Sequence, residues 1–319
     1  MFHARRIPAA AAVMMAAALM VDARAQDTRE TLTYSEALAE MNVALANAGI
    51  TNMRIDRAEI SLSAEGWQGA TTLIANNREH QIESLFVERD PRRGGFSDIS
   101  YLVDQSDGSA LAFANPTGNA VVTLSNAVTE PLLDRATTRW QDAPRCGGPA
   151  VTKIPDDGSN VDLVDDLVFG AAGPFTPLAD ITHAGWLPGA FFNAIAPPNG
   201  AQSILGVTFT LIFVDGDGNP TDIDNNGRSD TALREIYYNR GFGWSEGPSR
   251  PRGVDIDSVA THEAGHAFGL GHFGKVFVDN KNRLKYAPRA IMNAVYISPF
   301  TDMTGTDNAS YCSIWASRQ

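Results

Sequence analysis

With 319 residues, 44% of them hydrophobic, the chain can bury a sizeable core in one or two domains. Its 37 acidic against 25 basic side chains give a formal charge of −12, a balance that repels nucleic acid and anionic membranes and argues against both as partners. Only two cysteines occur, Cys146 and Cys312.

The chain opens MFHARRIPAAAAVMMAAALMVDARA. Two arginines precede an apolar run from Ile7 to Val21, and Ala23-Arg24-Ala25 supplies a small-x-small pattern before Gln26, the layout of a secretory signal peptide. The run falls short of the roughly twenty apolar residues that a membrane-spanning helix needs. Residues 1–25 are therefore expected to be removed, leaving a secreted protein, extracellular or periplasmic, that begins near Gln26. Basic residues then number 22 and acidic ones 36, a net charge of −14. In an oxidising compartment the two cysteines are expected to pair.

Residues 34–48 set Leu38, Met41, Leu45 and Ala48 at helical spacing, and Gly49 ends the run. Alternating, β-rich segments follow at 53–63, 70–75 and 82–88. Charge, proline and two glycines in ERDPRRGGFSD, residues 88–98, predict a loop and a domain boundary, with Arg92-Arg93 a candidate processing site. Residues 26–95 thus read as a small α+β N-terminal region and candidate propeptide, the alternatives being an intramolecular chaperone or an attached extra domain. Beyond it, 98–104 reads as a strand and 129–143 as an amphipathic helix with Leu132, Leu133, Ala136 and Trp140 on one face. AVTKIP is a short strand, 160–178 a loop-rich insertion, GVTFTLIFVD a buried strand, EIYYN a further strand and NASYCSIWAS a closing helix. Helices interspersed with a mixed sheet define an α+β class.

Between the last two lies THEAGHAFGLGH, residues 261–272, which holds three of the six histidines. His262 and His266, four apart, stack on one helix face with their rings aimed at a common point. Asp257 or Ser258 is the expected cap. Gly269 breaks the helix, because glycine tolerates positive φ, and the turn returns His272 as a third ligand. Three imidazoles at about 2.0–2.1 Å leave the fourth position of a zinc ion to water. The ion acidifies that water, and Glu263, beside the metal and not on it, is the general base that receives its proton.

HEAGHAFGLGH resembles the extended zinc signature of the metzincin metallopeptidases, H-E-x-x-H-x-x-G-x-x-H, and is most similar to that of the matrixins. RAIMNAVY supplies the methionine turn of that family, with Met292 supporting the site from below. The likeness covers most of 96–319: DISYLVD is similar to the first catalytic strand, LLDRATTRWQDA to the first helix, ADITHA to the third strand, and EIYYN to the edge strand that lines the cleft. The resemblance implies a zincin fold, with a twisted mixed sheet, an upper subdomain carrying the zinc helix and a lower one holding the methionine turn. Phe273 departs from the family's usual serine. Only His80 and His183 remain outside the motif in the mature chain, so one catalytic zinc is expected and no structural second.

PRCG at 144–147 is similar to the matrixin latency segment, whose thiolate blocks the zinc. It follows the first strand and helix here instead of preceding them, and Ala150 replaces the expected aspartate, so a Cys146–Cys312 disulfide closing a loop of 166 residues is favoured. DGDGNPTDIDNNGRSD, 215–230, matches the first nine positions of a calcium loop, with Asp222, Asp224, Asn226 and Asp230 as candidate ligands, although Leu233 stands where a bidentate glutamate belongs. The resulting expectation is a secreted, monomeric zinc endopeptidase acting on protein or peptide substrates. Its rivals are a non-catalytic zinc- and calcium-binding adhesion module and a zinc amidohydrolase acting on small or cell-wall amides.

Overall fold

The computed structural model describes residues 26–64, 82–104, 111–113, 122–142, 144–170, 174–247 and 253–316. The expected signal peptide, the strand at 70–75 and His80 lie outside the described residues.

Helix α1 (Gln26–Asn47) leads into β1 (Met53–Ser63), β2 (Ser84–Leu85) and β3 (Ile99–Val103). A small hairpin, β4 (Leu111–Phe113) and β5 (Val122–Leu124), precedes α2 (Asn126–Asp142) and β6 (Val151–Lys153). Then come α3 (Leu163–Phe169), β7 (Ile181–Leu187), α4 (Gly189–Ile195), α5 (Gly200–Ser203), β8 (Ile204–Phe213) and β9 (Ser229–Asn239). The short pair β10 (Trp244–Ser245) and β11 (Val254–Asp255) introduces α6 (Ile256–Ala267). The hairpin of β12 (Lys275–Val278) and β13 (Leu284–Ala287), then β14 (Val295–Tyr296) and α7 (Gly305–Trp315), complete the chain.

The main sheet is mixed and runs β14-β1-β8-β9-β7-β3-β6, with β2 also pairing β9. Strands β3, β6, β7 and β9 are mutually parallel; β8 is antiparallel to β9, β1 antiparallel to β8, and β14 parallel to β1. Both faces are covered, which explains why β7 and β8 are buried throughout. Ile236 and Tyr238 of β9 enter one core, with Trp140, Ala264, Met292 and Tyr311; Tyr237 enters the other, with Met41, Leu163, Phe191 and Phe209. The α+β class is compatible with this arrangement. No helix among the described residues is long and apolar enough to cross a membrane.

Four local expectations change. Strand β1 comes from the N-terminal region ahead of the predicted boundary, yet it pairs with β8 from Met53 to Leu62, so the sheet has no break at 88–98. Arg92 and Arg93 are structural clamps. Arg92 binds Asp90 and Asp230, and Arg93, whose side chain is 2% exposed, grips Asp180 and the Val87 carbonyl. The insertion at 160–178 contains α3, whose first N–H groups, from Leu163 and Val164, donate to the buried Glu235 carboxylate at 3.0 and 2.9 Å. Finally, EIYYN lies inside the sheet between β7 and β8, so it is no edge strand.

Candidate metal centre

Helix α6 is capped by Asp255, whose carboxylate accepts from Ser258 N at 3.0 Å. The expected caps do other work: Asp257 binds Arg135 and Arg139 of α2, and the Ser258 hydroxyl donates to Asp255. At its far end the wholly buried Arg234 donates to the Ala267 carbonyl at 2.6 Å. Gly269, at φ +89°, then turns the chain back toward His272.

His262, His266 and His272 come together as expected. Their Nε2 atoms stand 3.1, 3.2 and 3.3 Å apart. Three nitrogens held tetrahedrally at about 2.0–2.1 Å from one ion would be separated by roughly 3.3 Å, so the spacing fits zinc. His262 Nδ1 lies 2.8 Å from the Ile291 carbonyl and His266 Nδ1 2.7 Å from that of Leu270. Those carbonyls accept only from N–H, which fixes the tautomer and leaves both Nε2 atoms as bare lone pairs. Bare lone pairs facing one another at this distance repel unless a cation lies between them. Burial reinforces this by holding the His262 imidazole neutral, its pKa pushed down to about 3, and that of His266 well below the ordinary value. His272 Nδ1 faces Glu59 Oε2 at 3.7 Å.

Glu263 is fully buried; its Oε2 accepts from the Thr208 hydroxyl at 2.6 Å, and its Oε1 has no hydrogen-bond partner. Burial raises the carboxyl to about 8, with Ser61 and Thr208 working against the rise. The carboxylate has room because position 206 is glycine: a Cβ there would sit 2.8 Å from Oε1. An orphaned acceptor on the residue that follows His262 in the same helix is suited to receiving a proton from a bound water.

Met292 is buried beneath α6, where Gly265 lets its sulfur approach the helix backbone. Its turn is tied on three sides. Ile291 N and Met292 N donate to Asp307 at 3.0 and 3.3 Å, Phe273 N donates to Met292 O at 2.7 Å, and Asn293 Nδ2 donates to Phe273 O at 2.7 Å. Asp307 in turn closes a capping box with Thr304 at the start of α7. Cys146 and Cys312 form a disulfide with Cα atoms 5.7 Å apart, which fastens α7 to the segment after α2.

Asp222, Asp224 and Asp230 can each offer an oxygen within 4.8 Å of the others. Asn226 lies against them: its amide donates to Asp224 Oδ2 and its Oδ1 accepts from Arg228 N. Asp230 is buried and already binds Arg92 Nη2 at 2.7 Å and the Thr221 hydroxyl at 2.6 Å.

Glu59, Ser61, Gly206, Thr208 and Asp307 were not singled out from the sequence. Of these only Asp307 carried a local signal, the T-x-x-D spacing from Thr304. Comparison of the chain with protein-family models and with curated proteins gives no match.

Proposed function

We propose that this chain is a secreted zinc-dependent endopeptidase of matrixin-like, zincin type. The observation that carries the reading is the trio of Nε2 atoms converging at 3.1–3.3 Å, two of them on a helix that also bears a buried glutamate oxygen with no hydrogen-bond partner. His262, His266 and His272 would hold the ion, whose chemistry is to acidify a water and polarise an amide carbonyl. Glu263 takes the proton of the attacking water at its free oxygen and delivers it to the leaving nitrogen, while Thr208 keeps the carboxylate oriented. Met292 supports α6 from beneath, and residues 1–25, read as a signal peptide, direct export.

An adhesion module that keeps zinc for structure has no use for a carboxylate left unpaired inside the protein, and it is disfavoured for that reason. The decisive experiment compares the chain with Glu263→Gln. Both should carry one zinc per molecule, and chelator-sensitive hydrolysis of casein should fall by about 10²–10⁴-fold in the variant, the usual contribution of a general base. Protein that binds no zinc, or a Glu263→Gln variant of undiminished activity, overturns the proposal. Activity confined to small amides would favour the amidohydrolase instead.

A further inference from the structure

Lysine is rare in this chain and unevenly placed. Only four occur in 319 residues, and three of them, Lys275, Lys281 and Lys285, lie within the hairpin of β12 and β13. The fourth, Lys153, is held by Glu130 and Asp134 at 2.5 and 2.8 Å. The hairpin lysines are exposed and, among the described residues, have no carboxylate partner. Residues 275–289 also contain Arg283 and Arg289 against a single carboxylate, Asp279, which Arg283 already binds at 2.8 Å. Elsewhere in residues 26–319 there are 35 acidic and 17 basic side chains. The hairpin is a positive island on a negative protein.

The island is fixed in place and adjoins the candidate metal centre. It departs at Gly274, just after His272, and returns at Pro288, just before Met292. Val276 is buried, and the Tyr286 hydroxyl donates to Val295 O at 2.6 Å and accepts from Ile297 N at 2.9 Å. Tyr286 also lines, together with His262, a cavity of about 30 Å³. Asp279 locks the turn by accepting from Lys281 N and Arg283 N, each at about 3 Å. Cross-strand partners share a face, and Val276 and Tyr286 fill the inner one. The outer face therefore holds Lys275, Phe277 and Lys285, with Phe277 directly opposite Lys285.

A half-buried ring between two ammonium groups matches a peptide that carries carboxylates on either side of an apolar residue. A long polyanion matches it poorly, because beyond the island it meets the surrounding negative charge. A short acidic segment stays within the island's own field, whose reach is about 8 Å at physiological salt. We infer that the β12–β13 hairpin is a docking surface for short acidic segments of polypeptide substrates, which it holds beside the metal centre. This inference rests on the hydrolase reading and adds a substrate class to it, unfolded proteins with acidic stretches. Docking of this kind gathers substrate without touching the bond that breaks, so it acts on KM and leaves kcat alone.

The test uses the zinc-loaded full chain in three forms. One is unmodified, one carries Lys275→Glu, Lys281→Glu and Lys285→Glu together, and one carries Lys275→Arg, Lys281→Arg and Lys285→Arg. A fluorescent peptide of glutamates around one phenylalanine is titrated beside its glutamine counterpart and followed by anisotropy, and casein kinetics are measured on the same preparations. The unmodified chain should bind the glutamate peptide about 10-fold more tightly than the glutamine one, and the difference should vanish between about 50 and about 500 mM salt. Charge reversal should abolish that preference and raise KM for casein about 5-fold at unchanged kcat, while the arginine form keeps both values. Should the reversed chain fail to fold by circular dichroism, Lys275→Gln, Lys281→Gln and Lys285→Gln together replace it and should weaken binding about 3-fold. Equal binding of the two peptides, or undiminished binding by the reversed or neutralised chain, overturns the inference whether or not casein is cleaved. Salt-dependent self-association that charge reversal removes, with no peptide bound, assigns the surface to a second copy and overturns it too. Selective binding of the glutamate peptide with no casein cleavage in any form would leave the docking surface standing and refute the hydrolase reading.

Discussion

Gly265 sits between the two helix-borne histidines, and Gly265→Ala sets two effects of known size against each other. Alanine is a better helix former by about 1 kcal/mol. The added Cβ, however, would lie 2.3 Å from Met292 Sδ and 2.7 Å from Trp140 Cζ2. Neither neighbour gives way easily. Trp140 is wholly buried and its Nε1 is tied to the Thr261 carbonyl at 2.8 Å, while Met292 is 1% exposed on a turn fixed by Asp307. Overpacking a dense core costs about 1–3 kcal/mol, and two contacts, one of them to an anchored ring, belong in the upper half of that range. The net loss should be about 1–2 kcal/mol, a fall in Tm of roughly 2–5 °C for a chain of this size. Zinc affinity, measured by competition with a chelator, should fall too, since α6 must shift between its own ligands. Adding Met292→Ala to Gly265→Ala should cost less than Met292→Ala does alone, because the clash is relieved. An unchanged or higher Tm for Gly265→Ala would refute the reasoning, for it would mean that the methionine does not press on the helix.

Three further outcomes are expected. Burial pushes the His183 imidazole down to about 3, between Thr137 Oγ1 and the Tyr238 hydroxyl. A depressed folded pKa gives stability that is present above about 6.5 and lost as pH falls toward 3, so about 2 kcal/mol should go between pH 7.5 and 5; urea midpoints of His183→Gln should lack that share of the slope, and parallel pH profiles would count against it. Replacing Cys146 and Cys312 by serine opens a loop of 166 residues and should lower unfolding stability by up to about 5 kcal/mol in urea titrations, a loss below 1 kcal/mol being the contrary result. Calcium added to zinc-loaded, calcium-free protein should raise Tm through Asp222 and Asp224, and the response should shrink in Asp224→Asn; a Tm that ignores calcium removes the ion from the loop.

The histidine trio was legible because helical period and one glycine turn place all three from a single stretch of chain. Its supporting groups were not, because they arrive from far away: Thr208 and Glu263 are 55 residues apart, and Gly206 and Ser61 are 145 apart. Long-range pairing also hid the role of residues 53–63. Their alternation announces a strand, but nothing local says that it enters the main sheet ahead of the loop at 88–98. The same limit applies to α3. LVDDLVF is too short to declare itself, and it forms where Glu235 supplies an acceptor to its first two amides. The clamping role of Arg92 and Arg93 was hidden because their partners, Asp230 and Asp180, lie 138 and 87 residues away.

Strand β8 shows how the fold converts ordinary sheet geometry into a reactive arrangement. Its Val207, Phe209 and Leu211 point into the core shared with α1 and α4, while Gly206, Thr208 and Thr210 meet Glu263 and Arg234 on the side of α6. Sheet side chains alternate with a period of two, so a slip of one residue would put Phe209 against the carboxylate and a threonine into the apolar layer. The register is therefore enforced by apolar burial on the face away from the candidate metal centre. Pairing with β9 on one side and β1 on the other adds to that constraint. Thr208 consequently reaches Glu263 from a strand that cannot slide, which is what a single hydroxyl needs if it is to hold one carboxylate oxygen and leave the other free.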